Sequence, residues 1–244
     1  DNWVHDRLVA WVGWAGRNFD AGKARHVWVV WWVSVLVPAL LVALLYLGVS
    51  HYRLLLAMAL DVAVLYFTLG FRQFSHYFTD MREALDRGDE DEVRRLLAEW
   101  LHLDTSELPR TEVLRHVVEH ALLASHRHVF GVFFSFMVLP GPMGAVFYRL
   151  AEHSARVWGR SPAPPTPPDR FGEFARRALA WIDWEPARLT ALGYAIVGDF
   201  EGAIYCWRQV ARQTPPAGEP VPDARTLILA AAGGALGLRL LSTT

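Results

Sequence analysis

Val27–Val49 reads VWVVWWVSVLVPALLVALLYLGV, 23 consecutive residues without a charge. As an α-helix rising about 1.5 Å per residue, this stretch reaches ~34 Å, enough to cross a hydrocarbon layer of ~30 Å. Trp28, Trp31 and Trp32 stand at one end and Tyr46 and Tyr52 at the other, the pattern of aromatic belts at two membrane surfaces. Lys23 and Arg25 stand just before it. A secretion signal fits poorly, because the apolar run is too long and follows a charged leader. Pro38 is expected to kink the span rather than end it, since neighbouring helices can satisfy the freed carbonyl.

The rest of the chain repeats this partition between apolar blocks and polar stretches. Hydrophobic residues make up 53% of the 244 positions and charged residues 20%, which excludes a disordered or collagen-like chain. A second block runs from Leu54 to Phe71 with Asp61 inside it. A carboxylate at that depth costs roughly 2.5–3.5 kcal/mol on insertion scales, so it needs a partner, a proton or water. The plainest expectation is that Asp61 faces another helix and hydrogen-bonds there. A third block, Val129 to Leu150, is interrupted by Pro140-Gly141-Pro142 and reads as a broken or re-entrant helix. The last block, Thr226 to Leu241, carries AAAGGALGLRLL, whose small residues suit tight helix contacts.

Residues 72 to 128 turn polar. EALDRGDEDEVRRLLAEWL reads as two amphipathic helices broken at Gly88. Asp89 caps the second with Glu92 in capping-box position, and Leu96, Leu97 and Trp100 form its apolar face. A longer helix is expected from Thr111 to about His128. Its wheel puts Glu112, His116, Glu119, His120, His126 and Arg127 on one side, and Leu114, Val117, Val118, Ala121 and Ser125 on the other. SPAPPTPPD (161–169) and TPPAGEPVP (214–222) are loops. Between them two helices are expected, about Phe171 to Trp184 and Ala187 to Val210, separated at Glu185-Pro186. The chain opens with Asp rather than Met and stops just after an apolar segment. A single domain over residues 1–244 is expected, as a fragment lacking an N-terminal helix and the C-terminal end.

Several chemistries are excluded or weakly marked. A net charge of −1 offers no basic excess to nucleic acid. One cysteine, Cys206, excludes a disulfide framework and any cysteine-only metal site, and reads as a plain core thiol. No GxGxxG, P-loop or GxSxG motif is present. His116-Val117-Val118-Glu119-His120 matches H-x-x-E-H, two imidazoles one helical turn apart with a carboxylate between them, and His126 or His128 could close a metal site. The same histidines can equally form the polar face of a solvated helix. Asp104-Thr105-Ser106-Glu107 fits an N-cap or turn.

Taken in order, these pieces resemble a known family. His76, AL-x-x-GD-x-x-x-x-RR-L, DTS-x-L, Glu119, Tyr148-Arg149, Arg170-Phe171-Gly172, Pro186-Ala187-Arg188-Leu189, Pro222-Asp223-Ala224 and GGALGLRL resemble the CobD/CbiB integral-membrane cobalamin-biosynthesis proteins, from about residue 70 to the end. The resemblance implies an ATP-dependent amide ligase that joins an aminopropanol unit to a corrinoid carboxylate, with ATP and Mg²⁺. The chain departs from the family pattern at several acids. Leu103 replaces an arginine before DTS. Leu123, Ala124 and Arg127 replace a glutamate, an asparagine and an aspartate. Glu152 to Val157 lacks the aspartate of N-T-L-D-S-M, and Leu179-Ala180-Trp181 replaces L-D-D. Trp181-Ile182-Asp183-Trp184 with Pro186 and Arg188, and Phe130 to Phe134 with Leu139 to Pro142, resemble the AmpE relatives, linked to β-lactamase induction.

The resulting expectation is an all-α, polytopic membrane protein with four or five membrane segments and amphipathic helices between them. Arg72, His76, Asp104, Thr105, Ser106, Glu119, Asp183 and Arg188 are expected to line a shared ligand cavity. The first functional reading is a non-synthase, AmpE-like protein of the bacterial cytoplasmic membrane. In it the chain binds a corrinoid, a cell-wall fragment or a protein partner in envelope signalling. The second is a divergent ATP- and Mg²⁺-dependent cobinamide synthase. The third is a metal site at His116, His120 and His126.

Overall fold

The computed structural model describes residues 7, 10, 11, 13, 27–69, 79–84, 86–101, 109–159, 170–212, 223–238 and 240. These form two compact units: Asp1–Leu69 with Phe130–Pro186 and Gly218–Pro220, and Gly70–Val129 with Ala187–Ala217 and Val221–Thr244. All regular structure among the described residues is helical. The protein is an all-α membrane protein. Lys23, Arg25, both proline-rich loops and the side chains of Leu97 and Trp100 lie outside the described residues.

The first unit is built from α1 (Val27–Tyr52), α2 (Leu54–Leu69), α5 (Gly131–Val138), α6 (Met143–Trp158) and α7 (Arg170–Ile182). α6 packs against all four of the others. The core between α1, α6 and α7 holds Val30, Trp31, Val35, Leu150, Ala151, Ala155, Trp158 and Ala175. Trp31 therefore does not belong to the aromatic belt. It is buried edge-on to Phe147 and Phe174, and its Nε1 donates to Ser154 Oγ at 3.0 Å, so the indole N–H can leave water. Trp28 and Trp32 stay exposed. Asp61 is half-buried on α2. Its Oδ1 is shielded without a hydrogen-bond partner among the described residues, in place of the bonded contact expected.

The second unit holds α3 (Glu90–Leu101), α4 (Arg110–Ser125), α9 (Phe200–Arg212) and α10 (Ala224–Leu236). It also holds the segment of α8 (Trp184–Val197) from Ala187 on. The cap expected at Asp89 is present: Glu92 N donates to Asp89 Oδ1 at 3.1 Å. Val113, Val117, Val93, Leu96, Met81 and Ala84 form one core. Ala187, Ala191, Leu227, Ile228 and Ala231 form another. α9 and α10 approach closely at Gly202 and Gly234, as their small residues suggest. Cys206 is half-buried rather than a core thiol.

Three boundaries differ from the sequence reading. α4 does not end near His128 but runs through a π-helical turn, His126–Phe130, into α5, giving one helical run from Thr111 to Val138. The break falls later, at Leu139-Pro140-Gly141-Pro142, where Gly141 takes φ +62° under the Tyr46 ring. Pro186 does not separate one helix from the next. It sits in the first turn of α8, where its missing N–H costs nothing, and the break is at Asp183 instead. The helix expected over Ala187 to Val210 is divided at Gly198-Asp199.

Val27–Tyr52 and Thr111–Val138 are long and apolar enough to cross a membrane. Leu54–Leu69 and Ala224–Leu236 are apolar but shorter, at 16 and 13 residues. At about 1.5 Å per residue they reach ~24 and ~20 Å, less than the four or five full spans expected.

Gly131 lies directly beneath the Tyr148 ring, where a Cβ would overlap Cζ and Oη. Gly131→Ala is expected to cost about 1–3 kcal/mol through overpacking. Thermal unfolding in detergent should show a lowered midpoint, whereas Gly193→Ala, at a glycine with open space, should not.

Candidate functional site

In the first unit the site residue is Asp183. α7 ends at Ile182, and Asp183 N closes the last turn on the Leu179 carbonyl at 2.8 Å. This tucks the carboxylate inward, where Tyr148 Oη donates to Oδ1 at 2.8 Å, with both residues buried. Tyr148 belongs to α6, one residue before Arg149. Arg149 Nε donates to the Thr68 carbonyl at 2.6 Å, at the last turn of α2. One turn further on α6, Glu152 Oε2 accepts from His153 Nδ1 at 2.8 Å and lies 3.6 Å from Arg149 Nη1. Arg156 Nε is 3.9 Å from Glu152 Oε1. Burial alone would raise the Glu152 carboxyl. The His153 hydrogen bond and the Arg156 and Arg149 charges outweigh it and hold the group well below the usual carboxylate range.

In the second unit Glu119 faces an imidazole and a guanidinium. His116 Nδ1 lies 3.6 Å from Glu119 Oε2, and Arg225 Nη2 lies 3.7 Å from the same oxygen. Asp223 caps α10, its side chain accepting from Arg225 N, and so places Arg225 at the head of that helix. His126 is buried rather than on the polar face. Its Nδ1 lies 2.8 Å from Thr190 Oγ1, also buried. Beside it Ser125 Oγ and Tyr194 Oη share a hydrogen bond at 2.7 Å, and the hydroxyl that does not donate in it donates to the Leu122 carbonyl, 2.9 Å from Ser125 Oγ and 3.2 Å from Tyr194 Oη. Arg188, half-buried, stands two residues before Thr190 on α8.

The expected cavity set is thus distributed. Asp183 belongs to the first unit, and Glu119 and Arg188 to the second. Arg72, His76, Asp104, Thr105 and Ser106 lie outside the described residues. The metal reading at His116, His120 and His126 is corrected: among the described residues no three of His, Cys, Asp and Glu converge on one point. His116 is turned to Glu119, and His126 is taken up by Thr190.

Several polar contacts were not singled out in the sequence: Tyr148 as partner of Asp183, the Arg149–Glu152–His153–Arg156 cluster, and Thr190 and Tyr194 on α8. The signal for the cluster was present. Four ionisable residues recur at i, i+3 and i+4 within the otherwise apolar helix Met143–Trp158. Chemically, the first unit offers a buried hydroxyl–carboxylate pair, where fixed dipoles act strongly, and the second a largely covered carboxylate beside the exposed Arg225.

Because the Glu152 carboxyl is depressed in the fold, its stabilisation is complete above the unfolded range of about 4.3 and shrinks as pH falls below it. Unfolding midpoints in detergent should therefore drop on acidification below about pH 4.5. Glu152→Gln should lower the midpoint at neutral pH and flatten that acid limb. An unchanged limb would assign it to other carboxylates.

A family model described as "CobD/Cbib protein" matches residues 2–244. A protein of Stutzerimonas stutzeri (strain A1501) named cobalamin biosynthesis protein CobD is 34% identical over 232 residues, 93% of this chain and 69% of that protein. A protein of the same name from Chromobacterium violaceum is 35% identical over 188 residues, 76% of this chain and 56% of that protein. No solved structure matches the chain. Both relatives carry the name of a biosynthetic protein, which overturns the reading of a non-synthase, AmpE-like signalling protein. The acids missing from the family's motifs do not set the chain outside that lineage: it belongs to the CobD/CbiB family.

Proposed function

We propose that this chain acts in cobalamin biosynthesis as an ATP-dependent ligase. It joins an aminopropanol-type amine to a corrinoid carboxylate at the bacterial cytoplasmic membrane, which the full protein crosses more than once. The observation that carries this reading is the family match along residues 2–244, shared with relatives named for cobalamin biosynthesis. The geometry supports it in kind. A ligase that brings together an amine, a carboxylate and a nucleotide needs fixed polar groups shielded from water. Asp183 held by Tyr148 and Glu119 held by Arg225 and His116 are such groups.

Within this reading the roles follow from charge. In the second unit Glu119 accepts hydrogen bonds from the ammonium or hydroxyl of the amine substrate, while in the first unit Asp183 fixes the Tyr148 hydroxyl. Arg188 and Arg225 offset negative charge on the phosphates or the corrinoid side chain. The cluster on α6 holds that helix, and with it Tyr148, in place.

The test is direct. Purified full-length protein in detergent, given a corrinoid with a free carboxylate, aminopropanol, ATP and Mg²⁺, is expected to yield the amide by liquid chromatography and mass spectrometry. Asp183→Asn and Glu119→Gln are expected to lower the rate at least tenfold, about 1.4 kcal/mol of transition-state stabilisation, without loss of folded protein. No amide from the wild type, together with no thermal shift at millimolar ATP, would sink the ligase reading.

A further inference from the structure

Helix α8 is packed inside out. Its inward face carries Ala187, Thr190, Ala191 and Ala195, each 0–1% exposed, with the half-buried Tyr194 beside them. These small or hydroxylated residues meet α4, the π-helical turn and α10. Ala187 and Ala191 pack on Leu227, Ile228 and Ala231, Thr190 bonds His126, and Tyr194 bonds Ser125. The outward face carries the large apolar residues. Leu189 is 51% exposed, Leu192 37%, Ile196 69% and Val197 90%. The stripe continues past the turn to Phe200. It also reaches Leu236 and Leu238 at the end of α10, which the turn meets through Asp199 N donating to the Ala235 carbonyl at 3.0 Å. From Leu189 to Gly198 the sequence LTALGYAIVG contains no charge.

A helix on a water-soluble surface shows the reverse order, with large apolar residues inward and polar ones outward. The inverted order is what a lipid solvent selects. Acyl chains are as apolar as leucine, so large side chains gain nothing by turning inward, while small residues and hydroxyls are drawn to helix–helix contacts. α1, which is long enough to cross a membrane, has the same distribution from Ser34 on. Ser34, Val35, Ala39 and Ala43 are buried, and Leu40, Leu41, Leu44 and Leu45 are exposed. A contiguous apolar stripe of this size is unusual on a protein surface bathed by water.

We propose that the outward face of α8, Leu189, Leu192, Ile196 and Val197, with Phe200 and Leu236, lies against bilayer hydrocarbon. α8 is then a third lipid-contacting element, besides the two helices whose length qualifies them to cross. At 14 residues it measures about 21 Å, too short to cross a ~30 Å core, so it enters the membrane without traversing it. Asp199 and Glu201 follow the apolar stretch and Glu185 and Arg188 precede it, which leaves both ends at polar depth. Lipid is favoured over a second copy of the chain because the stripe is aliphatic apart from Phe200 at its end, and carries none of the tryptophan, tyrosine and arginine anchors that concentrate protein–protein binding energy.

The experiment uses the natural scarcity of cysteine. In full-length Cys206→Ser protein, nitroxide labels are placed by Leu189→Cys, Leu192→Cys and Ile196→Cys, with Arg87→Cys as an exposed polar control. The protein is reconstituted into phosphatidylcholine–phosphatidylglycerol vesicles. Collision with oxygen, which concentrates in hydrocarbon, is compared with collision with a water-soluble nickel chelate. Labels at 189, 192 and 196 should show an oxygen-to-nickel ratio several-fold above the control. Nickel accessibility equal to the control would overturn the proposal by placing the face in water. Exclusion of both reagents with spin–spin broadening would overturn it by placing a second copy there. Because these positions are exposed, the substitutions themselves should cost little stability.

Discussion

Every polar group that a helix carries into an apolar interior must be answered by another group of the protein, because neither lipid nor core can do so. α6 is where this constraint is most severe. It is surrounded by four helices, yet it holds Arg149, Glu152, His153 and Ser154 buried in succession. Arg149 Nε is answered by the Thr68 carbonyl of α2, Glu152 by His153 and two guanidinium groups of its own helix, and Ser154 by Trp31 of α1. The positions of α1 and α2 around α6 follow from those answers as much as from apolar contact. Removing one member would strand its partner's charge in the dry interior, which costs several times what the pair itself contributes.

The same requirement explains what could be read from the sequence. α1 was legible because an uncharged run of that length has few other destinations. The Asp89–Glu92 cap was legible because capping is local, decided within four residues. The fate of Trp31 was not, since periodicity places it near one end of a span without saying which face meets α6. Continuity from α4 into α5 was hidden by composition. The change from a polar to an apolar stretch looks like a boundary, but a helix can pass from one solvent to another without interruption. Pro186 misled for a related reason: a proline is read as a break, and only the structure shows that it begins a helix. His126 was assigned to a polar face by an ideal α-helical wheel. Its burial depends on Thr190, 64 residues away in sequence.

For the candidate site the sequence offered residues but not their grouping. Asp183 and Glu119 were singled out by motif, but Tyr148, Thr190 and Arg225 became partners only through tertiary packing. The absent carboxylates were given too much weight. Counting acids at fixed motif positions assumes that each is irreplaceable in place. α6 illustrates the weakness of that assumption. It lacks the family's aspartate at Ala155, yet it carries Glu152 one turn earlier, buried and ringed by cations. A carboxylate in that setting stays ionised at neutral pH and keeps the local charge balance that an acid three residues later would also provide.

Membrane contact and polar chemistry also constrain each other in this chain. α8 turns its hydroxyl-bearing face toward α4 and α10 and its leucines outward, so the helix that carries Thr190 is anchored by the side opposite to it. The inward alanines are what make this possible. Larger inward residues would separate α8 from the π-helical turn and break the His126–Thr190 bond. The small side chains that look uninformative in sequence therefore set the distance at which the polar groups meet, and the lipid-facing stripe keeps that inward face from turning away.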